Sequence, residues 1–94
     1  MTATLQSKIN IPQDVLFRDV AGEAVVLNLT TGKYYGLDQV GTRIWSLLVE
    51  HGQIEPAYRA MLDEYEVTED QLRQDIVNLV DRLASNGLVQ IVEA

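Results

Sequence analysis

Asn28-Leu29-Thr30-Thr31-Gly32-Lys33-Tyr34-Tyr35-Gly36-Leu37-Asp38 runs without a break into Gln39-Val40-Gly41-Thr42-Arg43-Ile44-Trp45-Ser46-Leu47-Leu48. The stretch encodes the end of a strand, a tight turn, a returning strand and an amphipathic helix. Upstream, Glu23-Ala24-Val25-Val26-Leu27-Asn28-Leu29 is apolar and rich in β-branched residues, which favour the pleated, half-buried state. Thr30-Thr31-Gly32 predicts a three-residue hairpin loop, with Gly32 in the left-handed position that a bulge of this kind requires. Lys33 to Leu37 then returns, its two tyrosines favouring a strand. A three-residue loop sets Leu29 opposite Lys33, Asn28 opposite Tyr34, Leu27 opposite Tyr35 and Val25 opposite Leu37. By alternation, Val25, Leu27, Tyr35 and Leu37 form the core face, while Asn28 and Tyr34 take the other and Tyr34 is partly exposed.

Working outward, Val15-Leu16-Phe17-Arg18-Asp19-Val20 predicts a further strand joined through Ala21-Gly22-Glu23. Residues 1–14 show weak periodicity and contain Pro12, so they are expected to form a mobile or loosely docked arm ahead of a domain spanning 15–94. Asp38 is a good N-cap for a helix from Gln39 to about Glu50, with Val40, Ile44, Leu47 and Leu48 on one face, Trp45 at its flank and His51-Gly52 as its stop. A second helix is predicted from about Glu55 to Tyr65, with Pro56 in its first turn and Ala57, Tyr58, Met61, Leu62 and Tyr65 as its apolar face. Thr68-Glu69-Asp70-Gln71 is a capping-box pattern opening a third helix. Its inner stripe is Leu72, Ile76, Leu79, Val80 and Leu83, and Asn86-Gly87 ends it before an extended Leu88–Val92. Strands followed by helices give an α+β class: a winged-helix-like domain of a three-stranded antiparallel sheet followed by three helices.

The chain of 94 residues is one domain, 47% hydrophobic, with a formal net charge of −7. That charge repels phosphate backbones and argues against nucleic acid as a partner. No cysteine is present, so disulfides and thiolate metal sites are excluded and a cytoplasmic setting is expected. The first residues lack an apolar signal core and no run of eighteen apolar residues occurs, so no membrane association is expected. Glu55, Asp63, Glu64, Glu66, Glu69, Asp70 and Asp75 crowd one region against only Arg59 and Arg73. This is a solvated helical face, or a surface that steers a basic partner.

Catalytic apparatus is hard to assemble from these residues. His51 is the sole histidine and sits beside a helix-ending glycine, where the helix dipole favours it. Neither a zinc site nor a triad with Ser46 or Ser85 has supporting spacing. Gly32-Lys33 lacks the other parts of a phosphate loop, since Leu27 and Tyr34 stand where glycine and serine or threonine are needed. The acidic pairs Asp63-Glu64 and Glu69-Asp70 lack calcium-loop spacing. The chain is therefore expected to bind rather than catalyse, without metal or cofactor. Tyr34 and Tyr35 belong to a strand at the sheet's edge, and an open edge is a template for an added strand. A short peptide pairing there would send its side chains into a groove between that strand and the third helix.

The residues Val25–Leu29, Thr31–Leu37, Val40-Gly41, Ile44-Trp45 and Leu47-Leu48, with the later Asp75-Ile76, Leu79-Val80, Leu83 and Asn86–Val89, resemble the PqqD-like family over roughly residues 15 to 92. Members are leader-peptide recognition elements for ribosomally made, post-translationally modified peptides. The resemblance implies a winged-helix-like fold in which a precursor leader adds beside the third strand and packs against the third helix. Carried onto this chain, the peptide-binding residues are Lys33, Tyr34, Tyr35, Gly36 and Leu37 from the strand, and Leu72, Asp75, Ile76, Leu79 and Val80 from the helix. The branch serving the coenzyme pyrroloquinoline quinone carries Pro-Glu-Gly where this chain has Thr30-Thr31-Gly32. The threonine-glycine-basic-tyrosine-tyrosine pattern is more similar to free-standing recognition proteins of lasso peptide biosynthesis, which deliver the precursor to a separate leader peptidase before a cyclase closes the ring. A chaperone of quinone cofactor biosynthesis and a winged-helix DNA-binding regulator are the alternative readings. The regulator has little basic character to draw on, because residues 69–86 carry only Arg73 and Arg82.

Overall fold

A computed structural model describes residues 3–92. The element order is β1 (Lys8–Asn10), β2 (Val15–Val20), β3 (Glu23–Asn28), β4 (Tyr34–Leu37), α1 (Gln39–His51), α2 (Ile54–Glu64), α3 (Glu69–Ser85) and β5 (Gln90–Val92). β2, β3 and β4 form an antiparallel sheet in that order, and the three helices follow it, so the α+β, winged-helix-like class holds. β2 and β3 are joined by Ala21 and Gly22, both at positive φ (57° and 85°), the backbone of a two-residue hairpin turn that matches strand twist.

The β3–β4 register differs by one residue from the expected one. Leu27 pairs with Tyr34, Val26 with Tyr35, Val25 with Gly36 and Ala24 with Leu37. The reason is a four-residue loop, Leu29 to Gly32, closed by Asn28 N–H donating to the Lys33 carbonyl at 2.8 Å and Gly32 N–H donating to the Asn28 carbonyl at 2.8 Å. The Asn28 side chain holds this loop. Its Oδ1 accepts from the amides of Thr30 (2.9 Å) and Thr31 (3.0 Å), and its Nδ2 donates to the Gly87 carbonyl at 2.8 Å. One residue of slip exchanges the faces of β3. Ala24, Val26 and Asn28 are buried, whereas Val25 is 44% exposed and Leu27 lies on the outer face with it. Tyr35 and Leu37 keep the inner face and Tyr34 the outer one, as expected.

The helices close over the inner face of the sheet. Asp38 caps α1, its Oδ1 accepting from Gly41 N–H at 2.7 Å, and Thr68 caps α3 by accepting from Gln71 N–H at 3.3 Å. Gly41 is closely packed, since a Cβ there would stand 3.2 Å from Asp38 Oδ1 and 3.3 Å from Leu37 Cδ2. Val26, Leu48, Ile54, Met61, Ile76, Val80, Leu83 and Leu88 are fully buried and form the core centre. Phe17 of β2 stacks on Trp45 of α1, with ring centroids 5.9 Å apart.

The N-terminal stretch is docked rather than loose. β1 pairs antiparallel with β5, and Ala3, Ser7 and Ile9 are buried. Further ties are Ala3 N–H to Asp81 Oδ1 at 2.8 Å and Ile9 N–H to the Gly52 carbonyl at 2.8 Å. Apolar Ile9 and the tail residue Ile91 sit opposite each other in this pair, and neither segment has enough periodicity alone to announce it.

Candidate functional site

β4 is an outer strand of its sheet, and the chain's own tail does not cover it, since β5 pairs with β1. The antiparallel ladder alternates between residues that bond inward and residues that bond outward. Lys33 bonds to Asn28, so Tyr35 and Leu37 direct their N–H and C=O toward β3. Tyr34 and Gly36 therefore turn their N–H and C=O toward the open edge.

Beside that edge lies a groove of about 370 Å³. Tyr35, Gly36 and Leu37 of β4, Asp38, Val40, Gly41 and Ile44 around the start of α1, and Asp75 and Leu79 of α3 line it. The groove has apolar walls from Val40, Ile44 and Leu79, and its lining includes the carboxylates of Asp38 and Asp75. Asp75 Oδ1 accepts from Gln71 Nε2 at 2.9 Å. Near the start of β4, Arg82 Nη1 donates to the Tyr35 hydroxyl at 3.4 Å, a bond that raises the Arg82 pKa above its ordinary value. The groove itself carries two carboxylates, and the Arg82 guanidinium lies outside its lining, beside the Tyr35 hydroxyl.

The structure sorts the ten residues expected to bind peptide into three groups. Tyr35, Gly36, Leu37, Asp75 and Leu79 come together in the groove. Lys33 and Tyr34 lie outside it, Lys33 where the loop enters β4 and Tyr34, 70% exposed, on the outer sheet face. Leu72 (4% exposed), Ile76 (0%) and Val80 (0%) are core residues behind the groove and offer no surface to a ligand. The inner stripe of α3 is wide enough to divide. Leu79, at its edge, stays half-buried and reaches the groove, while the residues at its centre are consumed by the core.

Asp38, Val40, Gly41, Ile44 and Arg82 were missed by sequence reasoning. A signal existed for the α1 residues. The helix begins one residue after β4 and its cap, so its first turn necessarily flanks the strand's end, and Val40 is 43% exposed despite lying on the apolar face. Another depression, about 520 Å³ between Ala3–Gln6 and the outer side of α3, touches none of the expected binding residues and no open strand. Among the described residues no group of His, Cys, Asp and Glu is placed to hold a metal ion, and no helix is long and apolar enough to cross a membrane.

Residues 23–89 match the family described as coenzyme PQQ synthesis protein D (PqqD), and the chain belongs to that family. The structure is similar to that of TbiB1 in complex with the TbiA(beta) leader peptide: 37% sequence identity, a TM-score of 0.80, and coverage of 86% of this chain and 94% of that one. It also shares its fold with lasso peptide synthetase B1 complexed with the leader peptide, at 22% identity and a TM-score of 0.78, covering 88% of this chain and 98% of that one. No curated protein matches the chain.

Proposed function

We propose that this chain is a non-catalytic leader-peptide recognition element of a lasso peptide pathway, which holds the leader of a ribosomally made precursor and presents it to a separate leader peptidase. The observation that carries the reading is the unpaired edge of β4 running beside the groove under Leu79 and Ile44. A visiting strand would bond to the N–H and C=O of Tyr34 and Gly36. Its alternate side chains would enter the groove. The similarity to TbiB1, a protein seen with a leader peptide, supports the same choice of ligand.

Magnitudes decide how the work is divided. A main-chain hydrogen bond contributes about 1 kcal/mol net. Four of them do not cover an association cost of roughly 4–15 kcal/mol. Affinity therefore depends on side chains filling the groove, where a buried Leu or Phe adds about 1.5–3 kcal/mol. Pairing sets orientation and register, and the groove sets which peptide is accepted.

Calorimetric titration with the leader of a precursor encoded beside this chain tests the reading. Stoichiometric binding is expected, and no heat at tens of micromolar protein rejects it. The DNA-binding alternative has less support, because α3 carries Glu69, Asp70, Asp75 and Asp81 against only Arg73 and Arg82, so its face is net anionic. A gel shift with genomic fragments is expected to show no complex.

A further inference from the structure

Gly36 is a glycine that the free protein does not require. Its φ lies outside the left-handed region, and a Cβ at this position would meet no atom within 4 Å. Glycine inside a strand weakens it, and often marks a place where another chain approaches closely. Gly36 is also one of the two β4 residues whose backbone faces the open edge. Cross-strand pairing with Val25 puts its missing side chain on the outer face of the sheet, opposite to the groove.

That absence helps open a depression of about 540 Å³ on the outer face, lined by Val20, Val25 and Gly36 with Glu23 and Asp38 among its other residues. Val20 and Val25 are 71% and 44% exposed, so the walls are apolar surface left in water. Among the described residues neither Glu23 nor Asp38 is in an ion pair. Asp38 spends Oδ1 on the Gly41 amide.

We propose that Gly36 opens a second reading position, in which a lysine or arginine of the visiting strand lies over the glycine with its stem against Val25 and its head toward Glu23 and Asp38. This rests on the strand-addition reading above and specifies the peptide further. A residue level with Gly36 in an added strand projects to the same outer face as the missing Cβ. Its neighbour in sequence projects to the opposite face, into the groove against Leu79 and Ile44. The peptide is therefore read from both sides of the sheet at one spot, by a basic residue adjacent to an apolar one. A long basic side chain suits a surface with apolar walls and anionic groups, because its methylenes cover the valines while the charge stays hydrated near the carboxylates. A side chain on residue 36 would occupy the lane that the stem needs.

The experiment selects random dodecapeptides displayed on phage against the full chain, then measures the selected peptide by fluorescence anisotropy against Gly36→Ala, Gly36→Val and Glu23→Lys. The wild type is expected to enrich a lysine or arginine beside a large apolar residue. Gly36→Val is expected to bind at least tenfold more weakly, Gly36→Ala less so, with melting temperatures equal to or above the wild type because each replaces a strand glycine into open space. Glu23→Lys is expected to shift the selected basic residue toward aspartate or glutamate, a change that a merely structural role of Glu23 would not produce. Full affinity in Gly36→Val, or enrichment without a basic preference, overturns the inference while leaving strand addition standing. Failure of the wild type to enrich any peptide that Leu79→Asp then loses overturns strand addition itself, and this inference with it.

Discussion

Asn28→Ala tests the device that sets the register of the open β4 edge. The substitution removes three side-chain hydrogen bonds, to the amides of Thr30 and Thr31 and to the Gly87 carbonyl, and leaves the main-chain closure with Lys33 and Gly32 in place. Asn28 is 7% exposed, so its bonds are made largely out of water. The two amides belong to exposed threonines and can turn to solvent, which limits each loss to about 0.5–1 kcal/mol. The Gly87 carbonyl, at the exit of α3, is half-buried and loses a partner, for about 1–2 kcal/mol. The total is about 2–4 kcal/mol, a large part of the 5–15 kcal/mol typical of a domain. For a domain of this size that is a fall in melting temperature of roughly 10–30 °C. Urea and thermal unfolding followed by circular dichroism measure it, and leader affinity should fall in parallel because the β3–β4 turn, which positions β4, is no longer held to α3's exit. A loss under about 1 kcal/mol would refute the reasoning, since the loop would then be closed by its main chain alone.

Further substitutions test other parts of the structure. Ile9→Ala should lower stability by about 2–3 kcal/mol in urea unfolding, because Ile9 is 8% exposed within the β1–β5 pair, whereas a loose arm would show no change. Leu79→Asp should abolish leader binding in calorimetry while the domain stays folded, since Leu79 is only half-buried. Ile76→Asp should unfold it by placing a charge at a fully buried position. Tyr34→Ala should weaken binding at an unchanged melting temperature, its side chain being 70% exposed. The hydrogen bond from Arg43 holds Glu64 below its ordinary value of 4.5, so this carboxylate contributes stability above that pH and loses it as pH falls through the lower folded value. Glu64→Gln should accordingly flatten the acid limb of a stability–pH profile.

Most of the fold is visible in the chain because local and tertiary signals agree there. Asp38, Thr68 and Gly32 sit where caps and a left-handed turn need them, and the helices follow from their apolar stripes. The register is not visible, because Asn28 is read as a strand residue until its partner Gly87, 59 residues away, is known. Both a three-residue and a four-residue loop fit Thr30-Thr31-Gly32, and only the tertiary bond chooses between them. The β1–β5 pair is hidden for the same reason, since three-residue strands have no periodicity of their own. At the site, the strand was legible and the helix only partly so. Spacing places Leu72, Ile76, Leu79 and Val80 on one stripe, but depth decides which of them a ligand can reach.

The two edges of the small sheet show why one of them is the receptive one. β2 carries Arg18 and Asp19 within its span, the charged residues that commonly discourage strand pairing. β4 reads Tyr-Tyr-Gly-Leu, without charge, proline or bulge, and so has no such guard. In a protein with twice as many acids as bases, 14 against 7, keeping this strand free of both is what leaves main-chain pairing open. Charges return beside the strand, with Asp38 and Asp75 lining the neighbouring groove and Arg82 against the Tyr35 hydroxyl. A strand that slips by two residues keeps its hydrogen bonds and its apolar face, but it moves its charges against like charges. Under the proposed strand addition, these charges are expected to select register where backbone pairing cannot. Under the proposed reading, a winged-helix composition whose third helix is net anionic has a different use for its wing, as one half of a sheet that a peptide would complete.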